Sequence, residues 1–172
     1  AGRLRFLGML ELPDVTHNSR RLSQLSGLAW DDDDGILYAL SDKGSLFHLQ
    51  PLFENDILSG VRLLQTLPLR ELGSDKPLLG WRIDSEGLDI VNGLNGRRHD
   101  AELIIGTERV PQILRFRTDG YAIGRHALPA PADKPGSYRE PNKMLEAVCA
   151  DSTLGVLAIP EVPLKNDCEG YT

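Results

Sequence analysis

The sequence is short of the features that mark several large protein classes. It has two cysteines, Cys149 and Cys168, a separation that is neither zinc-ligand nor redox-motif spacing. Two thiols cannot build a disulfide framework. A single bridge in an oxidising compartment and a pair of free buried thiols both stay open. No apolar run approaches the roughly 18 residues of a membrane span. Basic residues are scarce relative to acidic ones: 19 Lys and Arg against 25 Asp and Glu, a net charge of −6 and a pI of about 5.2. That balance argues against nucleic acid as the main partner, because phosphate backbones are held by basic faces. There is no Gly-x-Ser-x-Gly nucleophile elbow, no phosphate loop ending in Gly-Lys-Ser/Thr and no His-Glu-x-x-His. His17, His48, His99 and His126 are widely spaced and read as surface or turn residues. The acidic run 31–34 lacks the alternating ligands and distant Glu of an EF-hand, so it reads as a polar turn.

Amphipathic helical periodicity is also nearly absent, and what replaces it is informative. The 172 residues leave room for one domain. A hydrophobic content of 41% and a charged content of 26% are those of a folded chain rather than a disordered one. With 17 glycines and 11 prolines, turns are frequent and elements short. Apolar runs bounded by Gly, Asp, Asn and Pro predict strands at 3–12, 26–30, 36–41, 45–50, 61–69, 86–91, 102–107, 112–117, 121–128, 146–150 and 155–160. Turns are predicted at 31–35, 92–100, 118–120 and 151–155. Residues 69–79 could hold a helical turn, and 130–141, with three prolines, predicts a surface excursion. Trp30 and Trp81 are expected to pack between sheets rather than stack on a ligand. The opening Ala1-Gly2, without Met, fits a mature exported chain and an expression scar equally.

Three stretches repeat. They are Leu25-Ser26-Gly27-Leu28-Ala29, Ser85-Glu86-Gly87-Leu88-Asp89 and Leu145-Glu146-Ala147-Val148-Cys149, with Ser26, Glu86 and Glu146 spaced by 60 residues. Each is followed by a polar turn and a second apolar strand that ends on an acid: Asp42, Glu108 and Glu161. Two more strands follow in the first two units. Four strands in about 60 residues make one β-propeller blade. The chain is therefore expected to be all-β, a partial propeller of about three four-stranded antiparallel blades, near 25–80, 85–130 and 142–172. Propellers close with about four to eight blades. The remaining blades are expected from a longer chain or a second copy, because open sheet edges invite pairing.

Within each hairpin the start of the first strand faces the end of the second. Glu86 and Glu108 are centred on the turn 92–100, Ser26 and Asp42 on 31–35, and Glu146 and Glu161 on 151–155. All three pairs should sit at the same end of their hairpins. With the first strands on a common axis, Asp42, Glu86, Glu108, Glu146 and Glu161 converge on one mouth. Clustered carboxylates require a cation, a shared proton or basic partners. An oxygen-only set suits a hard divalent cation, calcium ahead of magnesium. Lys43, Arg109, Asn142 and Lys143 lie beside these acids in sequence and could bind an anionic group. A purely structural reading stands beside this one: each acid could accept backbone N–H groups from the next blade or pair with its Arg.

These residues also resemble the esterase-like phytase family of exported bacterial β-propeller proteins. The resemblance rests on Ser26-Gly27-Leu28-Ala29-Trp30 with Leu37-Tyr38-Ala39-Leu40-Ser41-Asp42-Lys43. It continues in Asp84-Ser85-Glu86-Gly87-Leu88-Asp89-Ile90 with Gly106-Thr107-Glu108-Arg109 and Ile113-Leu114-Arg115-Phe116. It ends in Asn142-Lys143-Met144-Leu145-Glu146-Ala147-Val148 with Ile159-Pro160-Glu161. It implies a six-bladed type of propeller and hydrolysis of a small anionic ester or phosphoester. Glu86, Glu108, Glu146 and Glu161 would be catalytic, and these four with Asp42 would bind metal. It also implies a periplasmic or extracellular location. Ser26 departs from the Glu of the other two units. The competing reading is a non-catalytic propeller that binds a protein, peptide or glycan at the channel mouth, since fold does not determine function.

Overall fold

The computed structural model describes residues 4–12, 14–78 and 84–165. A short hairpin comes first, β1 (Thr16–His17) with β2 (Arg20–Arg21). The first large sheet is β3 (Leu25–Asp31), β4 (Ile36–Ser41), β5 (Ser45–Glu54) and β6 (Ile57–Pro68), antiparallel and in chain order. The second repeats that order with β7 (Ser85–Val91), β8 (Glu102–Thr107), β9 (Gln112–Arg117) and β10 (Ala122–His126). The third has two strands, β11 (Leu145–Asp151) and β12 (Gly155–Pro160). The chain is all-β, and this arrangement is that of a partial propeller. No described helix is long and apolar enough to cross a membrane.

The turns follow from local chemistry. Asn55 and Asp56 both take positive φ, 51° and 61°, between β5 and β6. That is the backbone of the two-residue hairpin turn, for which Asn and Asp are well suited. Strand β8 shows how the layers are built. Its alternate residues Leu103 and Ile105 pack toward the first sheet with Tyr38, Leu40 and Leu88, while Ile104 packs toward the third with Ile113, Leu145 and Val148. Both faces of β8 are covered, so its apolar residues run continuously instead of alternating with polar ones.

The first strands of the sheets, β3, β7 and β11, lie side by side. Their spacing depends on two glycines. A Cβ at Gly27 would fall 2.5 Å from the Leu88 Cβ, and one at Gly87 would fall 2.8 Å from the Val148 nitrogen. Each glycine belongs to one sheet and admits the apolar residue of the next. Polar contacts tie the same joints. Asp33 accepts the backbone N–H groups of Asn95 and Gly96, and Asp34 accepts Arg98 Nε at 2.8 Å and the His99 N–H at 2.9 Å. Asp89 accepts the Ala150 N–H at 2.6 Å. The acidic run 31–34 is thus a turn that clamps one sheet to the next.

Several expectations are corrected. Residues 4–12 form no strand; Leu4, Phe6 and Met9 are exposed, and the segment is held by the Leu58 N–H donating to the Leu7 carbonyl. The alternation there is too short of partners to make a ladder. Residues 69–78 contain no helical turn; Leu69 is buried and Arg70 bridges to Tyr121 and Pro77. His48 is a core residue, not a surface one. Its Nε2 lies 2.8 Å from the Thr118 carbonyl and its ring stands edge-on to Tyr38 at 4.9 Å. Trp30 does not pack between sheets: it is 45% exposed and its indole N–H donates to Asp32. Cys149 is free and exposed rather than buried. Trp81, Cys168 and residue 3 lie outside the described residues. The excursion 130–141 carries a single 3-10 turn, Pro135–Ser137, and buries Tyr138, whose hydroxyl donates to the Ala132 carbonyl.

The close approach at Gly87 predicts that Gly87→Ala destabilises the chain by about 1–3 kcal/mol, the usual range for overpacking. Gly136→Ala, with open space around the new methyl, should leave thermal stability unchanged or slightly raised. Parallel thermal melts of the two variants check this, and equal melting temperatures would refute it.

The charged clamp makes a second prediction. Burial works to raise the Asp34 carboxyl, but hydrogen bonds and charge from Arg98 and His99 outweigh it and hold the group below its ordinary value. A carboxylate depressed in the folded state stabilises above its unfolded pKa and loses that contribution as pH falls through the folded one. Asp34→Ala should therefore cost about 1–3 kcal/mol at neutral pH. The gap from the parent should narrow in strong acid, as read by urea melts; a gap independent of pH would show that the clamp is not ionic.

Candidate functional site

The local structure at the strand starts is the same in all three sheets. Each first strand carries a β-bulge, between Leu25 and Gly27, between Ser85 and Gly87, and between Leu145 and Ala147. The extra residues are Ser26, Glu86 and Glu146. A bulge inserts one unpaired residue and re-aims the chain locally. Opposite each bulge, the acid that ends the second strand donates its backbone N–H to the residue two before the bulge. These bonds are Asp42 to Gln24 at 3.1 Å, Glu108 to Asp84 at 2.8 Å and Glu161 to Met144 at 2.9 Å. Gln24 and Asp84 both adopt positive φ, 54° and 22°. Neighbouring sheets are then stitched at this end. Ser85 Oγ donates to the Ser41 carbonyl at 2.9 Å, and Ser26 Oγ donates to the Ser85 carbonyl.

The result is a convergence of carboxylates. One oxygen from each of Asp84, Glu86 and Glu108 lies within 4.8 Å of the others, and the same holds for Glu108, Glu146 and Glu161. Glu108 belongs to both groups and is buried, whereas Glu146 and Glu161 are exposed. The Glu86 carboxyl is pushed up to about 7, first by burial and then by the charges of Glu146, Asp84, Glu108 and Asp42. The Glu108 carboxyl is also raised, by burial and by Asp84, Glu146 and Glu161, although the Met144 N–H bonding to it works the other way. Asp42 thus enters the shared field, and its own carboxylate accepts from Gln24 Nε2 at 3.3 Å and from Ser41 Oγ.

The bases are distributed unequally. Arg109 Nε meets Asp84 at 2.6 Å, and Lys143 Nζ meets Glu161 at 3.2 Å. The bond to Glu161, with the charges of Glu140 and Glu108, raises the Lys143 ammonium further. Lys43 is exposed beyond Asp42, and Asn142 is exposed in the turn before β11. Glu86 has no hydrogen bond or ion pair among the described residues. The structure therefore brings four of the five expected acids, Glu86, Glu108, Glu146 and Glu161, into two overlapping groups and adds Asp84, while Asp42 lies outside both groups and acts on Glu86 through its charge. Asp84 was not legible from the repeat, because Gln24 and Met144 hold its place in the other units. Its signal was local: the pattern Asp84-x-Glu86 beside a strand start, with Arg109 available across the hairpin.

The raised Glu86 carboxyl sets the direction of a pH effect. Its folded pKa, about 7, lies above its ordinary 4.5, so between those values the folded state binds more protons. In metal-free buffer, stability should therefore fall as pH rises through this window. Glu86→Gln should flatten that fall and raise the melting temperature on the alkaline side. Thermal melts across pH in EDTA check it, and an unchanged slope in the variant would sink the assignment.

A family model described as phytase-like, esterase-like activity of phytase, matches residues 20–171. No curated protein and no solved structure matches the chain.

Proposed function

The chain belongs to the phytase-like family, and from that premise we propose that its acidic rim is the centre of a metal-assisted phosphoester or ester hydrolase. The observation that carries this reading is Glu86, a raised carboxyl set among four other acids and without a hydrogen-bonding partner among the described residues. Side chains placed only to lock sheets together would have their charges satisfied. Glu108 does fit such a lock, because the Met144 N–H bonds to it. Glu86 does not.

Asp84, Glu86 and Glu108 would hold one divalent cation, with Glu146, Glu161 and Asp42 completing the anionic surround. An all-oxygen donor set of carboxylates suits a hard divalent cation, and the flexible, higher coordination that calcium accepts is the better match to side chains from separate strands. Such a cation, when bound, polarises an ester oxygen and lowers the pKa of a water. The residues themselves do the remaining work. With the cation on the Glu108, Glu146 and Glu161 group instead, Glu86 would be free of it, and a carboxyl raised by burial suits general acid–base transfer. Arg109 and Lys143 now neutralise Asp84 and Glu161. Drawing those carboxylates onto a cation would release both bases, with Lys43 and Asn142, to bind the anionic group of the substrate.

Calorimetric titration with calcium and with magnesium, paired with a panel of p-nitrophenyl phosphate and carboxylic esters, tests the proposal. Calcium should bind and raise the melting temperature. Glu86→Gln should reduce turnover by about two orders of magnitude or more while the chain stays folded. Heat without turnover would leave a cation site and remove the hydrolase; neither heat nor turnover would remove both.

A further inference from the structure

The protein is acidic overall, yet one concavity at the edge of the first sheet is lined by bases, hydroxyls and one amide, Gln24. It lies between the β1–β2 hairpin with the segment that follows it and the turn joining β4 to β5, and encloses about 260 Å³. Arg20, Lys43, Ser19, Ser23, Ser41 and Ser45 face it, and no carboxylate does. Arg21 also borders it, but both of its hydrogen bonds go to Asp14, at 2.7 Å each.

Arg20 is different. It is half-buried, forms no ion pair among the described residues, and gives one N–H to Ser45 Oγ at 2.9 Å. Ser45 is itself buried. Its hydroxyl accepts from Arg20, so its own proton is left to donate. Burial and the charge of Arg70 both disfavour the Arg20 cation. A half-buried guanidinium with no ion pair among the described residues, within the field of Arg70, is an unfavourable arrangement, and an anion relieves it. A planar fork of N–H groups, an ammonium and several hydroxyls match the donor needs of a tetrahedral oxyanion.

We infer that this pocket binds a tetrahedral oxyanion of the phosphate type, held by Arg20 and Lys43 with hydroxyl donors from Ser19, Ser23 and Ser45, the Ser41 hydroxyl being given to Asp42. The pocket shares Lys43 with the anion-binding side of the rim, but Arg20 and the serines belong to it alone, and it does not require a cation at the rim. Gln24 stands between them: it borders the pocket and donates to Asp42 on the rim side.

Calorimetric titration of inorganic phosphate into the full chain, at low ionic strength and in EDTA, tests this. One site is expected, weakened by added salt. Arg20→Gln and Lys43→Gln should each weaken binding by about tenfold or more. Lys43 is exposed, so its variant reports on the pocket even if Arg20→Gln unfolds. Glu86→Gln should bind phosphate as the parent does. Competition by glycerol 2-phosphate would extend the ligand class to phosphomonoesters, and its failure would restrict the pocket to the free ion; either supports the site. Three results would overturn it: no binding at about 1 mM phosphate, binding that survives both pocket substitutions, or binding that needs calcium and disappears in Glu86→Gln. The last would place phosphate on the rim cation, and so would leave the proposed function standing while removing this pocket.

Discussion

The close lateral approach of β3, β7 and β11 is the constraint on which the rest of the molecule depends. Gly27 and Gly87 remove a side chain where the next sheet must arrive, and Leu88 and Val148 fill the space. The hydrophobic layers behind these contacts, with Leu103 and Ile105 on one side of β8 and Ile104 on the other, make the approach favourable. Once the first strands are this close, whatever their bulges carry is forced into common company. Ser26 uses the proximity for a hydrogen bond to the next sheet. Glu86 and Glu146 occupy equivalent bulges and bring charge there instead.

That proximity opposes ionisation. Like charges at these distances in a partly buried setting disfavour the charged forms, and the structure answers in three ways. It pairs Asp84 and Glu161 with Arg109 and Lys143, it gives Glu108 a backbone N–H, and it leaves Glu86 protonated up to about neutrality. The first two answers are stabilising devices found in many proteins. The third is unfavourable in the absence of a ligand, and strain of that kind is concentrated at functional sites. The basic pocket beside the rim shows the complementary imbalance, with Arg20 desolvated and unpaired by any described carboxylate.

The polar contacts between sheets show why the acidic residues cannot be read as one class. Asp33, Asp34 and Asp89 carry carboxyl groups like those of the rim, yet each accepts backbone or side-chain donors from the neighbouring sheet. They serve packing. At one repeat position Leu28 is exposed on the first sheet, whereas Leu88 on the second and Val148 on the third are buried. The same repeat position is core or surface according to whether a sheet lies against it.

Much of this was determined by the sequence itself. Strands β4, β8, β9 and β12 fall on the expected residues, because alternation and bounding turn residues act over a few positions and need no distant partner. The spacing of Ser26, Glu86 and Glu146, with the acids across each hairpin, was enough to bring five carboxylates to one end. Only tertiary structure decided which of them are satisfied. Asp84 joins the rim through a bulge and a left-handed backbone that no local pattern announces. Arg109 and Lys143 are consumed by partners that sequence neighbours do not reveal. His48 is buried, and Cys149 and Trp30 exposed, because burial depends on what lies on the far side of a sheet. Local propensity shapes an element; solvent access and electrostatic company are properties of several elements packed together, and they appear only once the sheets have met.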